Sequence, residues 1–172
     1  LRAVAAASTA GGQDGDHPQR VASAALKAIA ERNDVNTEEV DDVIWGCSSQ
    51  KGHQGADIGR MALLDAGYST KAAGVTLDRF CGSGITSVNM GAASIMCGME
   101  ECIVSGGVEM MSRVAMLSDK PAAFIDAKLA GKLGMYMMGN GADLIASQYQ
   151  VSREQADAVA LQSQQRAAHA SE

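Results

Sequence analysis

Cys81 is the residue whose type and setting could do chemistry in this sequence. It lies in C-G-S-G, after an apolar stretch that ends at Phe80 and before a long uncharged stretch. We predict that a strand ends at Phe80 and that a helix covers residues 84–97, which places the thiol at the junction. A thiol attacks as its thiolate, and a helix N-terminus lowers the thiol pKa below its usual value of about 8.5. The setting predicts a nucleophile, while the spacing alone fits equally well a turn that holds a buried cysteine.

The residues that follow Cys81 suit an incoming acyl group. Gly82 and Gly84 have no side chain that would block the group, and both permit an unusual backbone turn. We expect the N–H groups of Ser83, Gly84 and Ile85, unpaired at the helix start, to face the thiolate or an acyl oxygen. The N–H of Cys81 would then contribute to an oxyanion site.

Cys47, Cys97 and Cys102 give no comparable signal. Each lies in an apolar stretch, where a free cysteine is ordinarily a small buried hydrophobic residue. The four cysteines show no C-x-x-C spacing, which argues against a zinc site or a disulfide framework. We therefore predict no metal site, and reduced thiols in a cytoplasmic location.

The elements that must position Cys81 alternate between helix and strand. One helix is predicted from a cap at Asp16 or His17 to about Asn33, and another from a cap at Asp57 to a stop at Gly67. Short apolar runs predict strands at residues 43–45, 75–80 and 102–104, the last ended by Gly106-Gly107. Strands separated by helices imply right-handed crossovers and a mostly parallel sheet flanked by helices, which is an α/β fold.

The helix after Cys81 has an unusual composition. No charged residue occurs between Arg79 and Glu100, so we expect this helix to be buried all round. Gly91 is assigned to close helix packing and Gly98 to the helix stop. For Glu109 we weigh a catalytic role against a structural, backbone-bonding role after the last strand, and favour the structural one.

The chain divides by pattern into residues 1–112 and 113–172. Residues 1–16 are predicted to be a loop or a poor strand. Residues 113–139 lack periodicity and are predicted to be irregular, before helices at 142–149 and from a capping box at Ser152 and Gln155. The chain starts without methionine and stops within a helical pattern, so we expect a truncated sequence.

Charge and hydropathy exclude two classes of protein. The net charge is −6 and no cluster of lysine or arginine occurs, which argues against a nucleic-acid-binding protein. Residues 80–99 have the length of a membrane span, but their glycines and hydroxyl residues argue against one.

Two motifs together carry a resemblance to a known family. V-T-L-D-R-F-C-G-S-G, followed by an uncharged helix and by I-V-S-G-G-V-E-M-M-S, resembles the N-terminal half of the thiolases. Met138-Gly139 with Ala142-Asp143 is similar to their segment beside the pantetheine arm of coenzyme A. The resemblance covers about residues 17–172, and it implies one incomplete half of a duplicated, layered α/β fold.

By this resemblance, Cys81 would accept an acyl group from acyl-CoA as a thioester, and an acetyl-CoA carbanion would attack it. In the reverse direction, CoA would cleave a 3-ketoacyl-CoA. Gly82, Gly84 and Met138 would contact the substrate, although Met138 could equally fill a gap in the core. The resemblance implies coenzyme A as a substrate rather than a permanent cofactor, and a homodimer or homotetramer at full length.

The sequence also departs from the thiolase pattern. It contains no N-E-A-F, G-H-P or C-x-G-G-G, which supply the acid/base groups of the family, and Asn140-Gly141 replaces the usual residues before the alanine–acid pair. Its only H-P, His17-Pro18, is expected to open a surface helix, and His53 and His169 are expected to be solvated. The first strand of the family, which usually ends in R-T-P, is also missing. The 172 residues of this chain alone are therefore expected to be inactive. Two alternatives remain: a non-catalytic thiolase-like acyl-CoA or lipid binder or subunit, and a ketoacyl-synthase relative.

Overall fold

The strands of this chain form one parallel sheet. The structure, a computed structural model, describes residues 2–5, 8–9 and 17–171. The strands are β1 (Arg2–Ala5), β2 (Ser8–Thr9), β3 (Asp42–Gly46), β4 (Ala73–Leu77) and β5 (Cys102–Glu109). Their order is β1-β5-β3-β4, β2 also pairs with β5, and every pairing is parallel. The predicted α/β fold with a mostly parallel sheet is confirmed.

Helices follow the strands and continue beyond them. They are α1 (Pro18–Asn33), α2 (Ile58–Asp65), α3 (Ser83–Met96), α4 (Ala122–Ile125), α5 (Ala127–Leu133), α6 (Met138–Gln148) and α7 (Arg153–Ser171). The chain divides into two compact units, Leu1–Lys120 and Pro121–Glu172. The boundary lies several residues after the predicted division at Ser112.

Local sequence explains where α1 and α2 begin and end. His17 caps α1 by accepting a hydrogen bond from the Gln19 N–H, and Pro18 occupies the first turn, where a missing N–H costs nothing. Asp57 caps α2 by accepting from the Arg60 N–H. The caps at His17 and Asp57 are thus confirmed, while Asp16, the other candidate, lies outside the described residues.

The core lies between the sheet and the pair α1 and α2. Trp45 of β3 is fully buried there, with Leu26 of α1, Leu63 of α2 and Val104 of β5. The Tyr68 hydroxyl donates to the Leu26 carbonyl at 3.0 Å, which satisfies a polar atom inside the core. Burial of this apolar surface fixes the strands whose ends carry the site.

Strands at the front of the chain and after α3 differ from prediction. The structure pairs β1 with β5, Arg2 opposite Cys102, and this corrects the expectation of a missing first strand. Strand β5 also continues through Gly106 and Gly107 to Glu109, instead of ending before the glycines. The physical reason is the same in both cases, since ladder hydrogen bonds from parallel neighbours outweigh a weak strand propensity.

The expectation that α3 is buried all round is wrong. Its inner face packs on β3 and β5, and Gly91 permits this because a Cβ there would lie 2.4 Å from Ser105 Oγ. Its outer face is exposed, with Ile85 at 73% and Met96 at 87% of full exposure. Uncharged residues indicate burial only where another element covers them. Cys97, at the helix end, is likewise exposed rather than buried, and Cys102 is half-buried.

The second unit is helical where the sequence predicts irregular chain. Helices α4 and α5 occupy part of residues 113–139, and α6 begins earlier than predicted, at Met138. Ser152 and Gln155 form the predicted capping box: the Ser152 N–H donates to Gln155 Oε1 at 2.9 Å, and the Gln155 N–H donates to Ser152 Oγ at 3.3 Å. No helix among the described residues is long and apolar enough to cross a membrane.

Candidate functional site

Cys81 stands in the short connection between the end of β4 and the start of α3. Its side chain is exposed, as is that of Phe80 before it. Parallel strands end at this edge of the sheet, which is where α/β proteins place their ligand sites. The predicted position of the thiol, between a strand and a helix, is confirmed.

The turn that presents Cys81 has an unusual backbone. Phe80 has a φ of +47°, in the left-handed region that side chains other than glycine seldom adopt. A residue held in such a conformation costs on the order of 1–3 kcal/mol, which the surrounding contacts must offset. One of these contacts is the Phe80 N–H, which donates to Asp78 Oδ1 at 2.7 Å.

The hydroxyl of Ser83 closes the same turn from the helix side. Ser83 Oγ accepts from the Arg79 N–H at 2.8 Å and donates to the Phe80 carbonyl at 2.6 Å. The Ser83 side chain is buried, with 5% exposure. Sequence reasoning missed this role, because a serine that follows a glycine is common in turns of every kind.

The backbone N–H groups at the start of α3 differ from expectation at one position. The Ser83 N–H donates to the Phe80 carbonyl at 3.1 Å, so it is not available to the thiolate as predicted. The N–H groups of Gly84 and Ile85 have no hydrogen-bond partner within the described part of the chain. Two unpaired donors, rather than three, therefore mark the positive end of this helix.

Glycines of two strands allow α3 to start directly on the sheet. A Cβ on Gly46, the last residue of β3, would lie 2.6 Å from the Ser83 carbonyl carbon and 2.8 Å from the Gly84 nitrogen. A Cβ on Gly107 would lie 2.7 Å from the Gly46 carbonyl oxygen. The main chain of β5 thus contacts that of β3, and the main chain of β3 contacts that of the turn. The sequence analysis did not predict these contacts.

Glu109, the last residue of β5, fixes the loop after β3 through hydrogen bonds. Its Oε2 accepts from the Ser48 N–H at 2.7 Å and from the Ser49 N–H at 3.3 Å. Its Oε1 accepts from Gln54 Nε2 at 2.8 Å. The predicted structural, backbone-bonding role of Glu109 is therefore confirmed.

Gln54 completes this network from a fully buried position. Its Nε2 also donates to the Ser49 carbonyl at 2.9 Å, and its Oε1 accepts from the Met110 N–H at 2.6 Å. No signal in the sequence marks Gln54, which stands in a polar loop among other polar residues. The network fixes the loop beside the strand ends, since a buried amide with satisfied donors and acceptors is costly to displace.

Cys47, at the end of β3, has an environment opposite to that of Cys81. Burial, assisted by the negative charge of Glu109, raises the pKa of the Cys47 thiol to about 12. Cys47 therefore stays protonated at neutral pH and is chemically inert. The prediction that Cys47 is a buried free cysteine is confirmed.

The remaining predicted site residues lie in two places. Gly82 caps α3 beside Cys81, and a Cβ on Gly84 would meet no atom within 4 Å, so the space beside the helix start is open. Met138 is the first residue of α6 in the second unit, and its side chain is 81% exposed. Met138 therefore does not fill a gap in a core.

Two histidines, the cap of α1 and a residue of the loop after β3, have their rings in contact. The rings of His17 and His53 are 4.9 Å apart, which the sequence does not reveal because the residues lie in different elements. Burial, and then the positive charges of His53, Arg113 and Arg20, lower the pKa of His17. No group of three or more histidine, cysteine, aspartate or glutamate residues within the described ranges could hold a metal ion.

Comparison with known proteins gives one family. Residues 3–172 match the model of the thiolase N-terminal domain. A β-ketoadipyl-CoA thiolase of Pseudomonas aeruginosa is 37% identical over 169 residues, which cover 88% of this chain and 42% of that protein. The steroid 3-ketoacyl-CoA thiolase FadA6 of Mycobacterium tuberculosis is 35% identical over 164 residues, which cover 89% of this chain and 40% of that protein. The chain thus spans less than half the length of these curated relatives.

Proposed function

We propose that this chain, which belongs to the thiolase family, contributes the acyl-accepting cysteine of a thiolase-type acyltransferase. The observation that carries the proposal is the placement of Cys81. Its thiol is exposed at the end of a parallel strand, next to a helix start where two N–H groups are unpaired. Such a setting favours a thiolate and the negative charge that develops on an acyl oxygen.

The proposed step transfers an acyl group from coenzyme A to the protein. The Cys81 thiolate attacks the carbonyl carbon of the acyl-CoA thioester, and a new carbon–sulfur bond forms. The bond between that carbon and the CoA sulfur breaks, and CoA leaves as its thiolate. An acetyl-CoA carbanion then attacks the acyl-Cys81 thioester, a carbon–carbon bond forms and the Cys81 thiolate leaves. In the thiolytic direction, Cys81 attacks the 3-oxo carbon of a 3-ketoacyl-CoA, the bond to the α-carbon breaks, and the released acetyl-CoA carbanion takes a proton from the acid/base. CoA then takes the acyl group from Cys81.

The substrate class is a CoA thioester of a 3-oxo acid. The relatives are named for β-ketoadipyl-CoA and for steroid 3-ketoacyl-CoA, which share the 3-ketoacyl-CoA unit and differ in the acyl part. In this proposal Gly82 and Gly84 leave space for the acyl thioester, and Met138 contacts the pantetheine arm. Residues 113–172 would be the start of the CoA-binding excursion. Coenzyme A enters and leaves as a substrate.

The acid/base for the α-carbon is proposed to come from outside these 172 residues. The N-E-A-F, G-H-P and C-x-G-G-G motifs of the family do not occur in the sequence. Removal of a proton from the α-carbon needs a positioned base, so the chain alone would form the acyl thioester without completing carbon–carbon bond formation. We also propose a homodimer or homotetramer for the full-length protein, and a cytoplasmic location.

Mass spectrometry after exposure to acetyl-CoA tests the acyl step, since transfer of the acetyl group to Cys81 needs no proton transfer at the α-carbon. We expect a stoichiometric acyl adduct on the peptide that contains Cys81, and no adduct in a Cys81→Ser variant. The Cys97→Ser variant is the matched control, since Cys97 is also exposed but follows the end of α3 rather than its start. Retention of acyl-CoA without an adduct on Cys81 would contradict the proposal and favour the non-catalytic acyl-CoA binder.

A further inference from the structure

We propose that Ser83 is a positioning residue, whose hydroxyl holds Phe80 in the left-handed conformation and thereby holds the Cys81 thiol at the start of α3. This inference rests on the proposed function, because it assigns a role at the same site. Ser83 does not touch the reacting atoms in this proposal. It acts through the backbone on both sides of Cys81.

The first observation is that the Ser83 hydroxyl uses its hydrogen-bonding capacity within this one turn. It accepts from the Arg79 N–H at 2.8 Å and donates its only proton to the Phe80 carbonyl at 2.6 Å. Arg79 and Phe80 directly precede Cys81, and Ser83 follows it by one glycine. The two bonds therefore link Ser83 to the two residues before Cys81, so that Cys81 lies between the linked positions.

The second observation is that side-chain packing does not hold this turn. The Phe80 side chain is 58% exposed and Cys81 is exposed, so neither is fixed by burial. Asp78, which accepts from the Phe80 N–H, is exposed as well. The buried hydroxyl of Ser83 is the one side-chain group inside the turn that solvent does not readily replace.

The third observation is that the sheet holds the main chain of Ser83 in place. Gly46 brings β3 against the Ser83 carbonyl carbon, and a Cβ there would come within 2.6 Å. The position of Ser83 is therefore set by the sheet, and its hydroxyl transmits this position to the residues before Cys81. Without the hydroxyl, Phe80 is expected to relax towards negative φ, which would move the thiol away from the unpaired N–H groups.

The experiment measures thiol reactivity in a Cys97→Ser background. The rate of Cys81 alkylation by iodoacetamide is measured at neutral pH. In S83A we expect this rate to be lower by roughly tenfold to hundredfold, because the thiol moves away from the helix start.

Ser87 supplies the matched control. It is a fully buried serine one turn later in α3, and its hydroxyl proton is shared between the Gly84 carbonyl, 2.7 Å from Oγ, and the Gly106 carbonyl, 2.8 Å from Oγ. We expect S87A to lower the midpoint of thermal unfolding but to leave the rate of Cys81 alkylation unchanged. Equal slowing of alkylation in S83A and S87A would overturn the proposal.

A second substitution tests the mechanism through Phe80. Glycine adopts positive φ without a steric cost, so adding Phe80→Gly to S83A should restore most of the lost reactivity. A double variant as slow as S83A would overturn the role assigned to the turn. Should S83A fail to fold, the double variant is compared with Phe80→Gly alone, and a double variant slower than Phe80→Gly by roughly tenfold would overturn the proposal.

The alkylation test of Ser83 and the acylation test of the proposed function give independent results. If acetyl-CoA leaves no adduct on Cys81 in the parent chain, the proposed acyltransferase function is contradicted. The comparison of S83A, S87A and the double variant with iodoacetamide still decides the role of Ser83.

Discussion

At the scale of single residues, two thiols at neighbouring strand ends have opposite properties. Cys47 is buried next to the carboxylate of Glu109, and its thiol has a pKa of about 12. Cys81 is exposed beside a helix start. Both residues follow a strand, and the sequence distinguishes Cys81 by the C-G-S-G turn and the uncharged stretch after it. The burial of Cys47 and the charge nearest to it arise from the tertiary fold.

Gly46 gives a prediction at this scale. Gly46→Ala is expected to lower the free energy of unfolding by about 1–3 kcal/mol, because the new methyl group meets main-chain atoms of Ser83 and Gly84 that cannot rotate away. Cys81 alkylation should also slow, since the start of α3 must move. Urea unfolding and the alkylation rate measure the two effects.

Gly141→Ala is the control for this substitution. Gly141 lies in α6, and a Cβ there meets no atom within 4 Å. We expect this variant to be as stable as the parent or more stable, since alanine favours a helix over glycine. A Gly46→Ala variant with parent stability and parent alkylation rate would contradict the close contact between β3 and α3.

The residues of the site were predictable to different degrees. Cys81 and the structural role of Glu109 follow from the sequence, because a strand, a glycine turn and a helix are local patterns. The roles of Ser83, Gly46 and Gln54 do not. Each depends on partners brought together by the sheet, such as Gln54 with Met110, and no local pattern indicates such pairs.

At the scale of elements, the start of α1 gives a pH-dependent prediction. Burial and the positive charge of His53, followed by Arg113 and Arg20, lower the pKa of His17 in the folded chain. The unfolded chain therefore binds the proton more readily, and the stabilising effect is complete above the unfolded pKa of about 6.5. It is lost as the pH falls below that value towards the folded pKa.

Urea unfolding at about pH 7.5 and about pH 5.5 measures this effect. The parent is expected to lose more stability on acidification than His53→Gln, which removes one of the positive charges that face His17. Lys27→Gln, a change on the exposed side of α1, should keep the parent's dependence. An identical loss in the parent and in His53→Gln would contradict the coupling of the two rings.

The elements themselves were predictable where their signals are local. The caps at His17, Asp57 and Ser152 appear in the sequence and in the structure. The burial of α3 was predicted wrongly, since the absence of charge describes the helix and not its neighbours. The length of β5 was underestimated because glycine weakens an isolated strand, whereas β5 has parallel neighbours on both sides.

At the scale of the whole molecule, the chain corresponds to less than half of its curated relatives. Incubation of these 172 residues with acetoacetyl-CoA and CoA should therefore give no sustained thiolysis, because the step at the α-carbon requires an acid/base pair. The loss of absorbance of acetoacetyl-CoA measures it. Sustained turnover that persists in the Cys97→Ser variant and disappears in Cys81→Ser would contradict this expectation.

The contact of main chain with main chain from Gly107 through Gly46 to Ser83 has a consequence for the effect of temperature. Side chains exchange rotamers as a protein is warmed, and a site supported by side chains shifts with them. The contact that holds the start of α3 on β3 consists of main-chain atoms and has no rotamers to exchange. The start of α3 should therefore keep its place on the sheet on heating until the strands β3 and β5 separate. A loss of thiol reactivity below that temperature would then report the hydrogen bonds of the Ser83 hydroxyl.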